Sequence, residues 1–197
     1  MTNIWFTADL HLGHRKVAEI RGFGDNTDAH NTALATNWDN LVRPGDQVWV
    51  LGDISIGHGG PETRALEWVS ARPGIKHLIA GNHDGCHPMH SRAHKTHRRF
   101  LDVFETVQSA ATLKIVGQRV LLSHFPYRDD PDGDHTEVLR HNEWRPVDVG
   151  QWLLHGHTHS SIARRGRQLH VGVDAHDLTP VPLRWVEDQI SRPHDKP

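Results

Sequence analysis

The 197 residues predict an α/β fold: two packed sheets with helices outside. Two observations carry that expectation. In the first half, apolar β-leaning runs alternate with helix-period stretches. In the second half, β-leaning runs dominate. The length suits one domain, taken as residues 1–190, followed by a polar, proline-bearing tail at 191–197 that is expected to fray.

The elements are expected in the following order. Residues 3–8 form an apolar run that ends at Asp9 and reads as the first strand. A helix follows from about Lys16, and a second spans 28–41, where Ala33, Leu34, Trp38 and Leu41 recur at helical spacing and Asp28 is placed to cap. Residues 47–51 (QVWVL) form the next strand, ending at Gly52-Asp53, and 61–71 read as a helix with proline at its start. Residues 77–80 form a strand ending in Gly81-Asn82-His83-Asp84, and a basic helix covers 90–101. Runs 111–116 and 119–123 flank Gly117-Gln118 and predict a hairpin. Residues 152–154, 169–173 and 182–186 are read as three further strands. The connection 128–149 is the most polar long stretch, and its length predicts a segment that covers part of a site.

Composition excludes several classes. With 36% hydrophobic and 23% charged residues the chain is neither a membrane protein nor disordered. No apolar run approaches the roughly 18 residues of a membrane span, and the amino-terminal stretch lacks the basic-then-apolar order of a secretory signal. Twenty-two basic against 24 acidic residues leave a net charge of −2, so no general polyanion binder is expected. A single cysteine, Cys86, excludes an internal disulfide framework and fits a reducing compartment, the cytoplasm. Histidine is the outlier, at 19 residues. Packing does not require so many imidazoles, and metal binding is the first explanation.

Five expected strand ends carry metal-type ligands: Asp9-Leu10-His11, Gly52-Asp53, Gly81-Asn82-His83-Asp84, Ser123-His124 and Gly156-His157-Thr158-His159. Short strands deliver polar groups to one edge of a sheet, and glycines let the backbone turn there. In an extended segment, the pairs Asp9/His11 and His157/His159 would each point two ligands to the same side. The mixture of imidazole, carboxylate and amide oxygen suits Mn, Fe, Zn or Ni better than Ca or Mg. Alone, Asp9 or Asp53 would read as an ordinary capping carboxylate, Asn82 as a turn residue and His124 as a strand-end histidine. The five together outweigh those readings.

Taken in series, the blocks D-x-H, G-D, G-N-H-D, H and G-H-x-H resemble the calcineurin-like metallophosphoesterases. All five occur in order between Asp9 and His159, with no departure at a ligand position. The resemblance implies a four-layer sandwich of two mixed β-sheets flanked by helices. It also implies a dinuclear centre in which Asp9, His11 and His159 hold one ion, Asn82, His124 and His157 hold the other, and Asp53 bridges. His83 would be the catalytic imidazole and Asp84 its orienting partner, with Asn82 and His83 also meeting substrate. Two divalent cofactor ions are implied, Mn2+ first, with Fe, Zn or Ni as the alternatives.

The chemistry is consistent with those groups. Two ions about 3.5–4 Å apart acidify a bridging water, which attacks in line, and they offset charge on the phosphoryl oxygens. Two ions, two carboxylates and a hydroxide leave a local charge of about +1, suited to an anion. An imidazole at His83 can protonate the leaving alkoxide near neutral pH.

Other residues carry weaker signals. His14 and Arg15 follow the first block and are candidates for substrate contact, weighed equally against a polar helix start. His90, His94 and His97 share a helical face, but the surrounding Arg92, Lys95, Arg98 and Arg99 favour a solvated basic helix over a metal site. Cys86 reads as a small structural or semi-exposed thiol, most tryptophans as core, and Trp144 as either a loop anchor or a base-stacking residue. Ser123 lacks the setting of a serine nucleophile.

The partner expected is a small phosphoester or nucleotide. A phosphodiester is preferred, a 2′,3′-cyclic nucleotide for example, by analogy with small single-domain relatives. A nuclease or a phosphomonoesterase of the same superfamily is the alternative enzyme, and nucleic acid is not favoured because no broad basic track is evident. A catalytically silent metal-binding scaffold is the alternative of another class. Neither composition nor motif assigns an oligomeric state.

Overall fold

The computed structural model describes residues 2–128, 130 and 140–192. The expected tail beyond 192, and residues 129 and 131–139 of the polar connection, lie outside the described residues.

Two mixed five-stranded sheets form the centre. The first has the order β10-β1-β2-β3-β4, and the second β5-β6-β7-β9-β8. In the first, β1 (Ile4–Thr7), β2 (Gln47–Val50), β3 (Ile75–Ile79) and β4 (Thr106–Gln108) run parallel, and β10 (Val181–Pro182) closes the edge antiparallel to β1. In the second, β6 (Gln118–Ser123), β7 (Trp152–His155) and β9 (Gln168–His170) are parallel, while β5 (Ala110–Ile115) and β8 (Arg164–Arg165) are the antiparallel edges.

Strand alternation sorts the core into two parts. On β2, Val48 and Val50 face the helices, joining Leu34 and Trp38 of α2 (Thr27–Leu41), Leu66 and Val69 of α3 (Gly60–Ser70), and Phe100 of α4 (Ala93–Leu101). Trp49 and Leu51 face the other way, onto Val120, Leu122, Trp152 and Leu154 of the second sheet. Burial on both faces explains why these parallel strands read as nearly continuous apolar runs.

Several elements differ from the sequence expectation. The second helix is capped by Asn26, whose side chain accepts from the Ala29 N–H at 2.9 Å, and Asp28 stands inside its first turn. The basic helix begins at Ala93, leaving His90 in the preceding turn with its Nε2 donating to the Asn82 carbonyl at 2.9 Å, so the three histidines do not share one helix face. The hairpin turns at Val116-Gly117, one residue earlier than expected, with Ile115 opposite Gln118. The run read as a strand at 182–186 is mostly helix. Only Val181 and Pro182 pair with β1, and α5 (Leu183–Ser191) follows, with Leu183, Val186 and Ile190 at helical spacing packing on the inter-sheet core. The short strands β4 and β8 were not anticipated.

The layout positions the site. Strands β1, β2 and β3 end on one side of the first sheet and β6 and β7 at the matching end of the second. A bridge between Ala8 and Gly172 ties the two edges together. No helix among the described residues is long and apolar enough to cross a membrane.

Candidate metal centre

The loops after β1, β2, β3, β6 and β7 converge, so all seven expected ligands lie in one cluster. Oxygen and nitrogen atoms of Asp9, His11 and His159 lie within 4.8 Å of one another, as do those of Asp9, Asp53 and His124. The His11 and His159 Nε2 atoms are 3.1 Å apart. Asn82 Oδ1 is 3.1 Å from His124 Nε2 and 3.0 Å from His157 Nδ1. Asp53 Oδ2 lies between the two groups, 3.7 Å from His11 Nε2 and 3.4 Å from His124 Nε2.

The side chains reach this arrangement by a route the sequence did not disclose. Asp9, His11, Asp53, His157 and His159 have φ of 58°, 47°, 57°, 71° and 50°. The pairs Asp9/His11 and His157/His159 therefore do not lie on extended segments; each ligand occupies a left-handed turn. Such a conformation costs an L-residue about 1–2 kcal/mol and persists where surrounding contacts over-determine it. Those contacts are present. Asp9 N–H donates to the Gly52 carbonyl and His11 N–H to the Asp53 carbonyl, both at 3.0 Å, lacing the first loop to the second. The His157 N–H donates to both oxygens of Asp9 at 3.0 Å, joining the two sheets. Glycines permit the close approach. A Cβ on Gly156 would stand 2.6 Å from Asp9 Oδ2, and one on Gly81 would run into Asp53 Oδ1.

Hydrogen bonds also settle which nitrogen each imidazole presents. A carbonyl only accepts, so His11 Nδ1 donates to Ser55 O (3.3 Å) and His124 Nδ1 to Leu51 O (2.8 Å). With Nδ1 so committed, Nε2 is the nitrogen that each ring turns to the cluster. His159 Nδ1 meets the Asp174 carboxylate at 3.0 Å, with the same consequence.

The electrostatics fit a cation. Asp9 is fully buried, and burial raises its carboxyl above the usual range against the pull of His159 and His124. Burial would also raise Asp53, but His124 and then His11 outweigh it and hold the carboxyl well below the usual range. Burial would lower the His124 ring, yet Asp53 lifts it to about 9. Burial drives His11 far down. Two buried carboxylates, Asp9 and Asp53, thus face the rings of His11, His124 and His159, a carboxylate–imidazole donor set of the kind that suits a divalent cation.

His83 lies at the half-buried rim. Its ring centroid is 5.3 Å from that of His11, its N–H donates to Asp53 Oδ1 at 2.8 Å, and its Nδ1 donates to the Ile56 carbonyl at 3.0 Å. Asp84 does not orient it, which corrects the expectation. The buried Asp84 carboxylate accepts from the N–H groups of Gly81 (2.8 Å), Asp53 (3.0 Å) and Ile54 (3.1 Å), stitching the second and third loops together. Burial, then the Asp53 charge, raises Asp84 to about 7.

His14 caps α1 (Arg15–Ile20), accepting from the Val17 N–H at 3.4 Å, and its ring stands edge-on to His11 at 5.5 Å. Arg15 is not brought to the cluster; it is exposed and pairs with Asp25 at 3.0 Å. In the polar connection, the His141 ring is 6.0 Å from His157, and Trp144 packs edge-on to His87 at 5.1 Å as a loop anchor. Cys86 is buried, and burial raises its thiol beyond the usual range. Ser123 Oγ accepts from the Phe125 N–H in the turn that carries His124. Sequence reasoning missed Arg21, His30, His170 and Asp174, which surround the Asp9 side of the cluster. No local pattern marks them, because each is placed by a partner outside its own element.

Residues 4–173 match the family described as the calcineurin-like phosphoesterase superfamily domain. The chain is 48% identical over 186 residues to the Gene 66 protein of Mycobacterium phage L5, a match covering 89% of this chain and 88% of that one. It is also 48% identical over 192 residues to the Gene 66 protein of Mycobacterium phage D29, covering 92% and 93%. Among solved structures, a protein of unknown function from Aquifex aeolicus, AQ665, has a similar fold. The TM-score is 0.67 at 22% identity, over 96% of this chain and 100% of that one.

Proposed function

The chain belongs to the calcineurin-like phosphoesterase superfamily, and on that premise we propose that it is a metal-dependent hydrolase of small phosphodiesters. A 2′,3′-cyclic nucleotide is the kind of substrate meant. One observation carries the reading: seven donors from five loops meet at the carboxyl ends of both sheets, with Asp53 between two sets of nitrogens. In this reading Asp9, His11 and His159 would hold one divalent ion, Asn82, His124 and His157 the other, and Asp53 both. Mn2+ is the ion proposed first, with Fe, Zn and Ni as the others. When bound, the ions supply charge for the phosphoryl oxygens and acidify a water.

The chain's own residues do the rest. Ser55, Leu51 and Asp174 fix the tautomers of His11, His124 and His159 before any ion arrives. Asp84 sets the spacing of the Asp53 and Asn82 loops. His83, anchored at Nδ1, keeps Nε2 for a proton, which it delivers to the leaving alkoxide oxygen. His14 is placed to contact substrate from the rim. A site charge of about +1 with hydroxide present matches the single negative charge of a phosphodiester. Residues 1–190 act as one domain, and a reducing compartment, the cytoplasm, suits the free buried Cys86.

The test is hydrolysis of bis-p-nitrophenyl phosphate and of a 2′,3′-cyclic nucleotide with Mn2+, beside a phosphomonoester and single-stranded DNA. Diester turnover that is abolished by chelation and restored by metal supports the reading. Faster turnover of the monoester or DNA replaces the substrate class. No turnover of any of them with bound Mn, Fe, Zn or Ni overturns the enzyme in favour of a scaffold.

A further inference from the structure

Arg21 ends α1, and its side chain is 4% exposed. Each of its five N–H donors meets an acceptor. Nε donates to Asp174 Oδ1 at 2.8 Å, and Nη2 to Asp174 Oδ2 at 2.7 Å and to the Asp9 carbonyl at 2.8 Å. Nη1 donates to the Leu10 carbonyl at 3.3 Å and to His30 Nε2 at 3.0 Å. Burial, reinforced by Arg21, lowers the His30 ring to about 4, so it is neutral and free to accept. A guanidinium has five donors in a rigid fork, whereas an ammonium has three on a flexible stem, so this acceptor set is specific to arginine.

Asp174 connects this knot to the cluster. The Oδ2 that accepts from Arg21 also receives the His159 Nδ1–H, at 3.0 Å. The Asp9 and Leu10 carbonyls that Arg21 holds belong to the left-handed turn presenting Asp9 and His11. One side chain therefore holds the Asp9–His11 turn directly and reaches His159 through Asp174, a partner 153 residues away in the chain.

We propose that Arg21 and Asp174 are positioning residues for the Asp9–His11–His159 ion site. Asp174 fixes the tautomer and aim of His159, and Arg21 fixes Asp174 together with the Asp9 turn. This rests on the reading of those three residues as ligands. A carboxylate behind a metal-binding imidazole raises its basicity and holds its bare nitrogen in place, and losing one weakens metal binding about 10- to 100-fold. An ion pair serving only the fold would lower stability without distinguishing one ion from the other.

The experiment titrates Mn2+ into metal-stripped full-length protein by calorimetry, counts bound ions by elemental analysis, and reads the His159 tautomer by 15N NMR. The wild type should bind two ions and show His159 protonated at Nδ1. Asp174→Asn should weaken one binding event about 10- to 100-fold and leave the other within about twofold. Arg21→Lys should weaken the same event. A folded Asp174→Asn protein with both events at wild-type affinity overturns the proposal. So does a wild-type His159 protonated at Nε2, a measurement that stands even if the variants do not fold. Failure of the wild type to bind any Mn2+ or Zn2+ is a different result, which overturns the dinuclear reading itself.

Discussion

The Nδ1 of His83 lies 3.0 Å from the carbonyl of Ile56, three residues beyond Asp53. One loop therefore carries the carboxylate at the middle of the cluster and aims the imidazole at its rim. Because the carbonyl fixes the proton on Nδ1, the ring's Nε2 is the atom that works. His83→Ala removes that atom without touching any of the seven donors. Turnover of bis-p-nitrophenyl phosphate should fall about 10²- to 10⁴-fold while elemental analysis finds the wild-type metal content. Wild-type turnover in the variant would end the role assigned to His83.

Asp53 stands 3.7 Å from His11 and 3.4 Å from His124, so its charge serves both halves of the cluster. Asp53→Asn keeps the shape and removes the charge. Both ions should weaken together, in contrast to the single weakened ion expected of Asp174→Asn. Elemental analysis after dialysis checks this, and two ions retained by Asp53→Asn would contradict the bridge.

The contrast between these residues also shows what the sequence could disclose. Asp9 follows an apolar run directly, and Asp53, Asn82, His124 and His157 follow one after a single glycine or serine or a short polar step, so a polar group at the end of a β-leaning stretch was visible as such. The left-handed backbone of Asp9, Asp53 and His157 was not visible, because it is imposed by bonds between loops, such as Asp9 N–H to Gly52. Arg21 and Asp174 had no local pattern at all, since each is explained by a partner 153 residues away. Leu183 and Val186 sit in a short apolar run whose period is ambiguous, and only packing against the inter-sheet core decides for a helix. Strand β8, two arginines long, is a strand only because β9 lies beside it.

Val116 and Gly117 turn the β5–β6 hairpin with φ of 49° and 75°. Both positive values mark the mirror-image turn that favours Asn-Gly, and a β-branched residue is strained there. Val116 is half exposed, so replacing it forfeits little packing. Val116→Asn should stabilise by about 1 kcal/mol, raising Tm by about 2–4 °C in a domain of this size. Thermal melts followed by circular dichroism check it, and a lower Tm would mean that Val116 makes contacts worth more than its strain.

Asp46 joins the amino-terminal strand to the turn before β2. Its Oδ1 accepts from the N–H and side-chain amide of Asn3, and its Oδ2 from the Trp5 indole and the Arg43 N–H, all at 3.0 Å. Burial would raise this carboxyl, but the backbone bonds from Asn3 and Arg43, followed by the two side-chain bonds, bring it down to about 2. The ionised form is thus favoured in the folded protein relative to its ordinary value of 3.8. The sign follows from linkage. The stabilisation is fully present above the ordinary value, declines as pH falls below it, and is lost once pH passes the folded value near 2. Asp46→Asn cannot ionise, so its Tm should lie below wild type at pH 7, and the gap should close between about pH 4 and pH 2. Both proteins must be compared metal-free, since acid also strips ions from the cluster. A gap that stays constant over that range would show that shape, rather than charge, is what Asp46 contributes.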